Sequence, residues 1–412
     1  MSQAPSTYKK VPIIRGSVTL EDLLHCPENW TVTAHFAEEL PAERQDDLLG
    51  LKARTEDSQV PRDLHTVLLV AGAYRAVISS WGARLLSFSG PDGVEIVVGP
   101  RQKDTLLADD SAMGAVVGRV ANRIGRGSFT IPGQGTYQLP LNDGPHHLHG
   151  GPQGFHQRMW QVDFVAEGVE SSQTFAEVSL SLTSPAGDQG YPGHAHVETR
   201  YLLSSNGSLT VNLFSHVKDA ISPVNLTHHA YWNLSEQGRH GATCLNHFLF
   251  TPYGSYLETD LRHLPTGHIL PVSETPYDFT HKKTLGADLP QTSESAPVGG
   301  YDVFLTNHAG SDKPLHHAPE TDSRASKSTP LPIIACLEDE ESRRRLEIRS
   351  DQPGFQLYTG NYLRGPYRQY QAVCIEPSGL VDAVNQPHFP SIMLQPGKTL
   401  RQIIEFRLFC NP

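Results

Sequence analysis

Two short stretches concentrate imidazoles where proton transfer or metal binding could use them. Residues 141–155 read LNDGPHHLHGGPQGF, with His146, His147 and His149 between a proline and a glycine pair. Residues 225–234 read NLTHHAYWNL, with His228 and His229 beside asparagine and aromatics. A histidine titrates near neutrality and can donate a proton, bind a metal, or simply satisfy a buried hydrogen bond. His147 and His149 form an HxH pair, which on a regular strand would put both rings on one face. A metal site of that kind also needs a nearby carboxylate, and Gly150, Gly151, Pro152 and Gln153 follow instead. The glycine pair predicts a tight turn, with His146 and His147 read as turn residues. Proton transfer also needs an acceptor. Glu376, between Cys374-Ile375 and Pro377 at the end of an apparent strand over 372–376, is a candidate, because desolvation raises a carboxyl pKa and makes the anion a stronger base.

The elements that must position these groups are strands. Val178, Leu180 and Leu182 alternate with serines; Leu209, Val211 and Leu213 alternate with Thr210 and Asn212; Ile404, Phe406 and Leu408 alternate with Glu405 and Arg407. Alternation of period two puts one face of each strand on a core. Such runs recur between turn residues from about Thr66 onward without a long amphipathic helix, which predicts an all-β protein, a large antiparallel β-sandwich. Residues 1–65 read as an N-terminal extension packing on a main domain of residues 66–412. Short helices are expected from Thr19 toward Cys26 and over Pro41–Arg54. Residues 308–330, polar and Pro/Ser-rich, read as a flexible loop insertion whose His316-His317 pair carries no chemistry.

Composition limits the partners. The chain has 412 residues, 38% hydrophobic and 19% charged, with formal charge −11, which disfavours nucleic acid and anionic membranes. Five scattered cysteines without CxxC spacing read as reduced thiols, and no signal peptide or bilayer-length apolar run stands out. The expectation is a cytoplasmic protein, a monomer or weak homodimer, acting on a small molecule.

Taken in order, GRVANRI (118–124), LHGG (148–151) with Gly154-Phe155 and Trp160, GYPG (190–193), NLTHHAYWNL (225–234), LPTG (264–267), Gly300–Asp302, QLYTGN (356–361), and Glu376 with DAVNQPHFP (382–390) resemble the aldose 1-epimerase, or galactose mutarotase, family. The resemblance covers roughly residues 66–410. It implies a galactose-mutarotase type β-supersandwich with a shallow sugar cleft. It also implies interconversion of the α and β anomers of a free aldose such as glucose or galactose, with no metal or organic cofactor. Glu376 then matches the general base, His229 the general acid, and His149 a second histidine that polarises the ring oxygen. Asn122, Arg123, Asp302 and Gln356 match residues that hold sugar hydroxyls. Tyr231 and Trp232 could face the sugar or the core. The chain departs from the family at Pro377–Val381, where Thr-Gln is common after the glutamate, and at His228, where asparagine is common. Rival readings are an epimerase-like enzyme acting on a phosphorylated, pentose or secondary-metabolite sugar, with Arg364 and Arg368 as candidate phosphate ligands, and a non-catalytic sugar-binding regulatory protein.

Overall fold

Backbone polar groups along alternating strands find partners only in neighbouring strands, so the apolar faces must close on each other. The computed structural model describes residues 7–15, 33–39, 63–290, 298–308 and 330–410. Both helices expected near the N-terminus, and His316-His317, lie outside these residues.

A ten-stranded sheet forms one wall. Its centre is made of Gln173–Ser184, Ala195–Ser204, Ser208–Val217 and Thr399–Cys410, paired antiparallel in that order. These are the strands read from alternation. Val178, Leu180, Val211, Leu213, Ile404, Phe406 and Leu408 all point into one shared core. A six-stranded sheet faces it, in the order Tyr231–Trp232, Val373–Ser378, Gly354–Tyr358, Asp302–Thr306, Ser255–Thr259, Pro265–Pro271. A five-stranded sheet, which includes Asp63–Ala71, Tyr74–Ser79 and Arg84–Ser89, adds its apolar face to the same core. The protein is therefore a large, almost wholly antiparallel β-sandwich. Ile13–Arg15 against Ala34–Glu39 is a parallel pair.

The described parts of the first 65 residues join these sheets. Thr7–Lys10 pairs with Gln161–Glu170, and Ala34–Glu39 pairs with Asp63–Ala71. Among the described residues no helix is long and apolar enough to cross a membrane, and Cys244, Cys336, Cys374 and Cys410 are free thiols.

The six-stranded sheet positions the site through the same alternation. Val373 and Ile375, Phe355 and Leu357, Val303 and Leu305, and Trp232 face the core. Their neighbours Glu376, Gln356, Tyr358, Asp302 and Tyr231 therefore face the opposite side, where they line a cavity. One periodic pattern thus supplies both a hydrophobic core and a polar floor.

The turn at Gly150 builds the cavity's other wall. Its φ is +80°, and a Cβ there would lie 1.8 Å from the Gly118 carbonyl oxygen. Only glycine fits, both conformationally and sterically. Gly150→Ala is expected to destabilise the fold by at least about 2 kcal/mol. Thermal denaturation checks this; an unchanged melting temperature would contradict the close backbone approach.

Candidate active site

The residues singled out by sequence come from six separated segments. Glu376, His229, His149, Asn122, Arg123, Asp302 and Gln356 all line one cavity of about 760 Å³. That volume is ample for a monosaccharide, within the ordinary range of small-molecule sites.

At its centre, His229 Nε2 lies 3.4 Å from Glu376 Oε1. Both side chains are nearly enclosed, at 5% and 4% exposure. Burial, reinforced by the charge of Asp302, holds the Glu376 carboxyl well above the usual carboxylate range. Burial also pushes the His229 imidazole down to about 4, with the Arg84 guanidinium acting in the same direction. Each group thus favours its neutral form. A proton held by the pair therefore rests on the carboxyl in preference to the imidazole. Tyr231 fixes the imidazole plane: the rings stack at 5.0 Å and 13°, and the Tyr231 hydroxyl donates to the Ser111 carbonyl.

His149 stands beside the pair, its ring 5.4 Å from that of His229. Its Nδ1 accepts a hydrogen bond from the Asn122 backbone N–H at 3.3 Å. Burial, together with the neighbouring His229, keeps the ring well below its usual pKa, so it is neutral. A neutral imidazole that accepts at Nδ1 carries its proton at Nε2. His149 is therefore a hydrogen-bond donor that does not ionise.

Arg123 arrives on the short strand Arg123–Ile124, paired to His147–Leu148, and Asn122 immediately precedes it at φ 58°. Arg123 Nε donates to Asp143 Oδ2 at 2.7 Å, and its backbone N–H donates to Asn122 Oδ1. Opposite, Gln356 Nε2 donates to Asp302 Oδ1 at 2.6 Å, and His263 Nδ1 lies 3.5 Å from Asp302 Oδ2. The cavity lining thus carries two charge-paired clusters, Arg123 with Asp143 and Asp302 with His263, besides the Glu376–His229 pair. Asp382 ties these parts together: its Oδ1 accepts from the Gly125 backbone N–H at 2.9 Å and from Asn385 Nδ2 at 2.7 Å.

Several expectations require correction. The HxH pair does not share a face. His147 donates through Nδ1 to the Pro140 carbonyl and accepts at Nε2 from the Tyr191 hydroxyl, so both nitrogens are satisfied in the interior. The strand ends at Leu148, and His149 turns into the left-handed region at φ 52°, which sends its ring to the cavity. His146, read as a turn residue, also lines the cavity. His228 points away from His229 into the sandwich core, against Tyr201 and Phe406. Trp232 likewise packs in the core, 4.7 Å from Phe406. Arg364 and Arg368 do not line the cavity; Arg262 does. The altered run Pro377–Val381 is buried, and Thr227 and Asn225 clamp its backbone through Pro377 and Gly379. None of its side chains reaches the cavity lining.

Asp143, Arg262, His263, Tyr358 and Tyr362 also line the cavity and were not picked out by residue type. Asp143 sits in the quoted LNDGP, and Tyr358 and Tyr362 fall in and beside QLYTGN, so the motifs held the signal. His263 and Arg262 precede LPTG in a turn with His263 at φ 60°, and nothing local marked them.

Comparison with known proteins decides the family. Residues 65–407 match the family described as aldose 1-epimerase. The chain belongs to the aldose 1-epimerase family. It is 33% identical to galactose mutarotase of Sus scrofa over 79% of this chain and 88% of that protein. It is 28% identical to aldose 1-epimerase of Escherichia coli K12 over 81% of this chain and 92% of that one. Among solved structures, an aldose epimerase homologue from C. elegans superposes with a TM-score of 0.68 at 28% identity, covering 84% of this chain and 99% of that chain. This aldose 1-epimerase family member is accordingly an isomerase with the family's β-sandwich architecture.

Proposed function

We propose that the protein interconverts the α and β anomers of a free hexose such as galactose or glucose, with Glu376 as general base and His229 as general acid. The observation that carries this reading is the enclosed carboxyl–imidazole pair, 3.4 Å apart, at the centre of a polar cavity.

In the reactive state the carboxyl is ionised and the imidazole carries the proton. Glu376 removes the proton of the anomeric hydroxyl while His229 delivers one to the ring oxygen. The bond from the anomeric carbon to the ring oxygen breaks, leaving an aldehyde, a protonated Glu376 and a neutral His229. That is the protonation state burial favours, so the dry site stabilises the open-chain complex relative to the closed one. Rotation about the bond to the carbonyl carbon presents the other face. Closure then runs the two transfers backwards and restores the pair.

The other side chains set pose and polarity. His149 offers its Nε2 proton to the ring oxygen as negative charge grows there. Asp302, Gln356, Asn122 and Arg123 have the donor and acceptor types to hold hydroxyls. Tyr362, half-exposed at the mouth, presents an aromatic face to the sugar's C–H groups.

Asp302→Ala removes a hydroxyl acceptor and the partner of Gln356. It is expected to raise KM by about tenfold or more, the loss of a hydrogen bond to a charged group. Steady-state rates against sugar concentration check this; an unchanged KM would remove Asp302 from sugar binding.

A phosphorylated sugar is a second reading, because Arg262 lines the cavity, is exposed, and makes no ion pair with any described residue. NMR magnetisation transfer between anomers of galactose, glucose, xylose and galactose 6-phosphate separates the readings. The free-hexose reading predicts the highest kcat/KM with galactose or glucose. A preference for the phosphate, lost in Arg262→Ala, would replace it. The free thiols among the described residues support a cytoplasmic location.

A further inference from the structure

One group beneath the site takes no part in the proposed chemistry. Cys374 lies two residues before Glu376 on the same strand, so both side chains project to the same face, and its register partner Tyr231 follows His229 by two residues. As a result His229, Cys374 and Glu376 each bring one ligand atom to a common point, all within 4.8 Å of one another. A tetrahedral ion with bonds of about 2.0–2.3 Å needs ligand atoms roughly 3.3–3.8 Å apart. The His229–Glu376 distance of 3.4 Å already satisfies that, and the thiol needs a shift of about 1 Å by the same geometry.

We propose that a thiophilic divalent cation such as Zn²⁺ or Cd²⁺ binds across His229 Nε2, Cys374 Sγ and a Glu376 carboxylate oxygen, and blocks the sugar site. The donor set of nitrogen, sulfur and oxygen is one such ions accept, with three protein ligands and a fourth position left open. That fourth position faces the cavity, where the anomeric centre of a sugar sits, so cation and sugar compete. Charge supports the assignment. Thiolate and carboxylate neutralise the ion fully, and a neutral complex is what an enclosed site tolerates. Binding displaces the thiol proton of Cys374, because the thiolate is the ligand.

The site uses residues of the proposed active site, but its primary readout is independent of catalysis. Full-length protein freed of metal with a chelator is titrated with CdCl₂, following the ultraviolet thiolate-to-cadmium charge-transfer absorption. One equivalent per chain is expected to saturate the band, and galactose should shift the titration to higher cadmium. Cys374→Ser should keep its anomerase rate, lose the band, and weaken inhibition by Cd²⁺ and Zn²⁺ at least tenfold. A band that survives in Cys374→Ser, or inhibition indifferent to galactose, overturns the proposal. Should the serine variant fail to fold, Cys26→Ser, Cys244→Ser, Cys336→Ser and Cys410→Ser serve instead: the band must persist in all four, and its loss in any of them assigns it elsewhere and overturns the site. A protein that binds cadmium this way but accelerates no sugar would retain the cation site and refute the functional reading alone.

Discussion

Glu376→Gln is expected to lower kcat by roughly 10²–10⁴-fold, the usual contribution of a positioned general base. Glutamine keeps the shape of the side chain and can still hydrogen-bond the anomeric hydroxyl, but it cannot take the proton. Position 376 is almost enclosed, at 4% exposure, so bulk water cannot substitute readily. The loss should fall on kcat, with KM changing by about threefold at most, because the interaction removed is one made only in the transition state. NMR magnetisation transfer between galactose anomers measures both quantities. Retention of more than about a tenth of the wild-type kcat would show that another group accepts the proton.

His229→Asn removes the other half of the pair, and a fall of similar size, roughly 10²–10⁴-fold, is expected. The pH dependence carries additional information. The proposed mechanism requires one proton in the pair: with two there is no acceptor, and with none there is no donor. In the wild type the rate should fall on the acid side as His229 gains a proton, around pH 4, and on the alkaline side as the pair loses its proton above the raised pKa of Glu376. These limbs belong to the pair as a unit. In the asparagine variant the residual rate should lose the acid limb near pH 4, and the remaining dependence should follow Glu376 alone. Measured kcat/KM across pH in both proteins checks this; an acid limb unchanged in the variant would exclude His229 as its origin.

The sandwich was legible because its strands alternate cleanly. The runs around Val178, Val211 and Phe406 each present one apolar face, and all three strands occur with those faces inward. The same rule explains why Glu376 and Gln356 meet: they are direct register partners, both on the face opposite the core residues Ile375 and Leu357. What alternation leaves open is where a chain leaves its strand. His149 reaches the cavity through one left-handed residue, so the two rings of the HxH pair part at the turn and do not share the face a regular strand would give them. His228 and His229 are adjacent in sequence and diverge by the pleat, one into the core and one into the cavity. Arg262 and His263 come from a turn whose direction is fixed by tertiary packing, which no local pattern encodes. The two N-terminal helices and the 308–330 segment fall largely on residues outside those described.

The central claim is that this cavity opens and closes a sugar ring, and polarimetry of freshly dissolved α-galactose tests it most directly. Optical rotation is followed to equilibrium with wild-type protein, with Glu376→Gln, and with buffer alone, all containing a chelator. The expected result is rapid decay to the equilibrium rotation with wild type, and a rate close to that of buffer with the variant. Decay with wild type at the spontaneous rate, or equal acceleration by both proteins, would contradict the assignment.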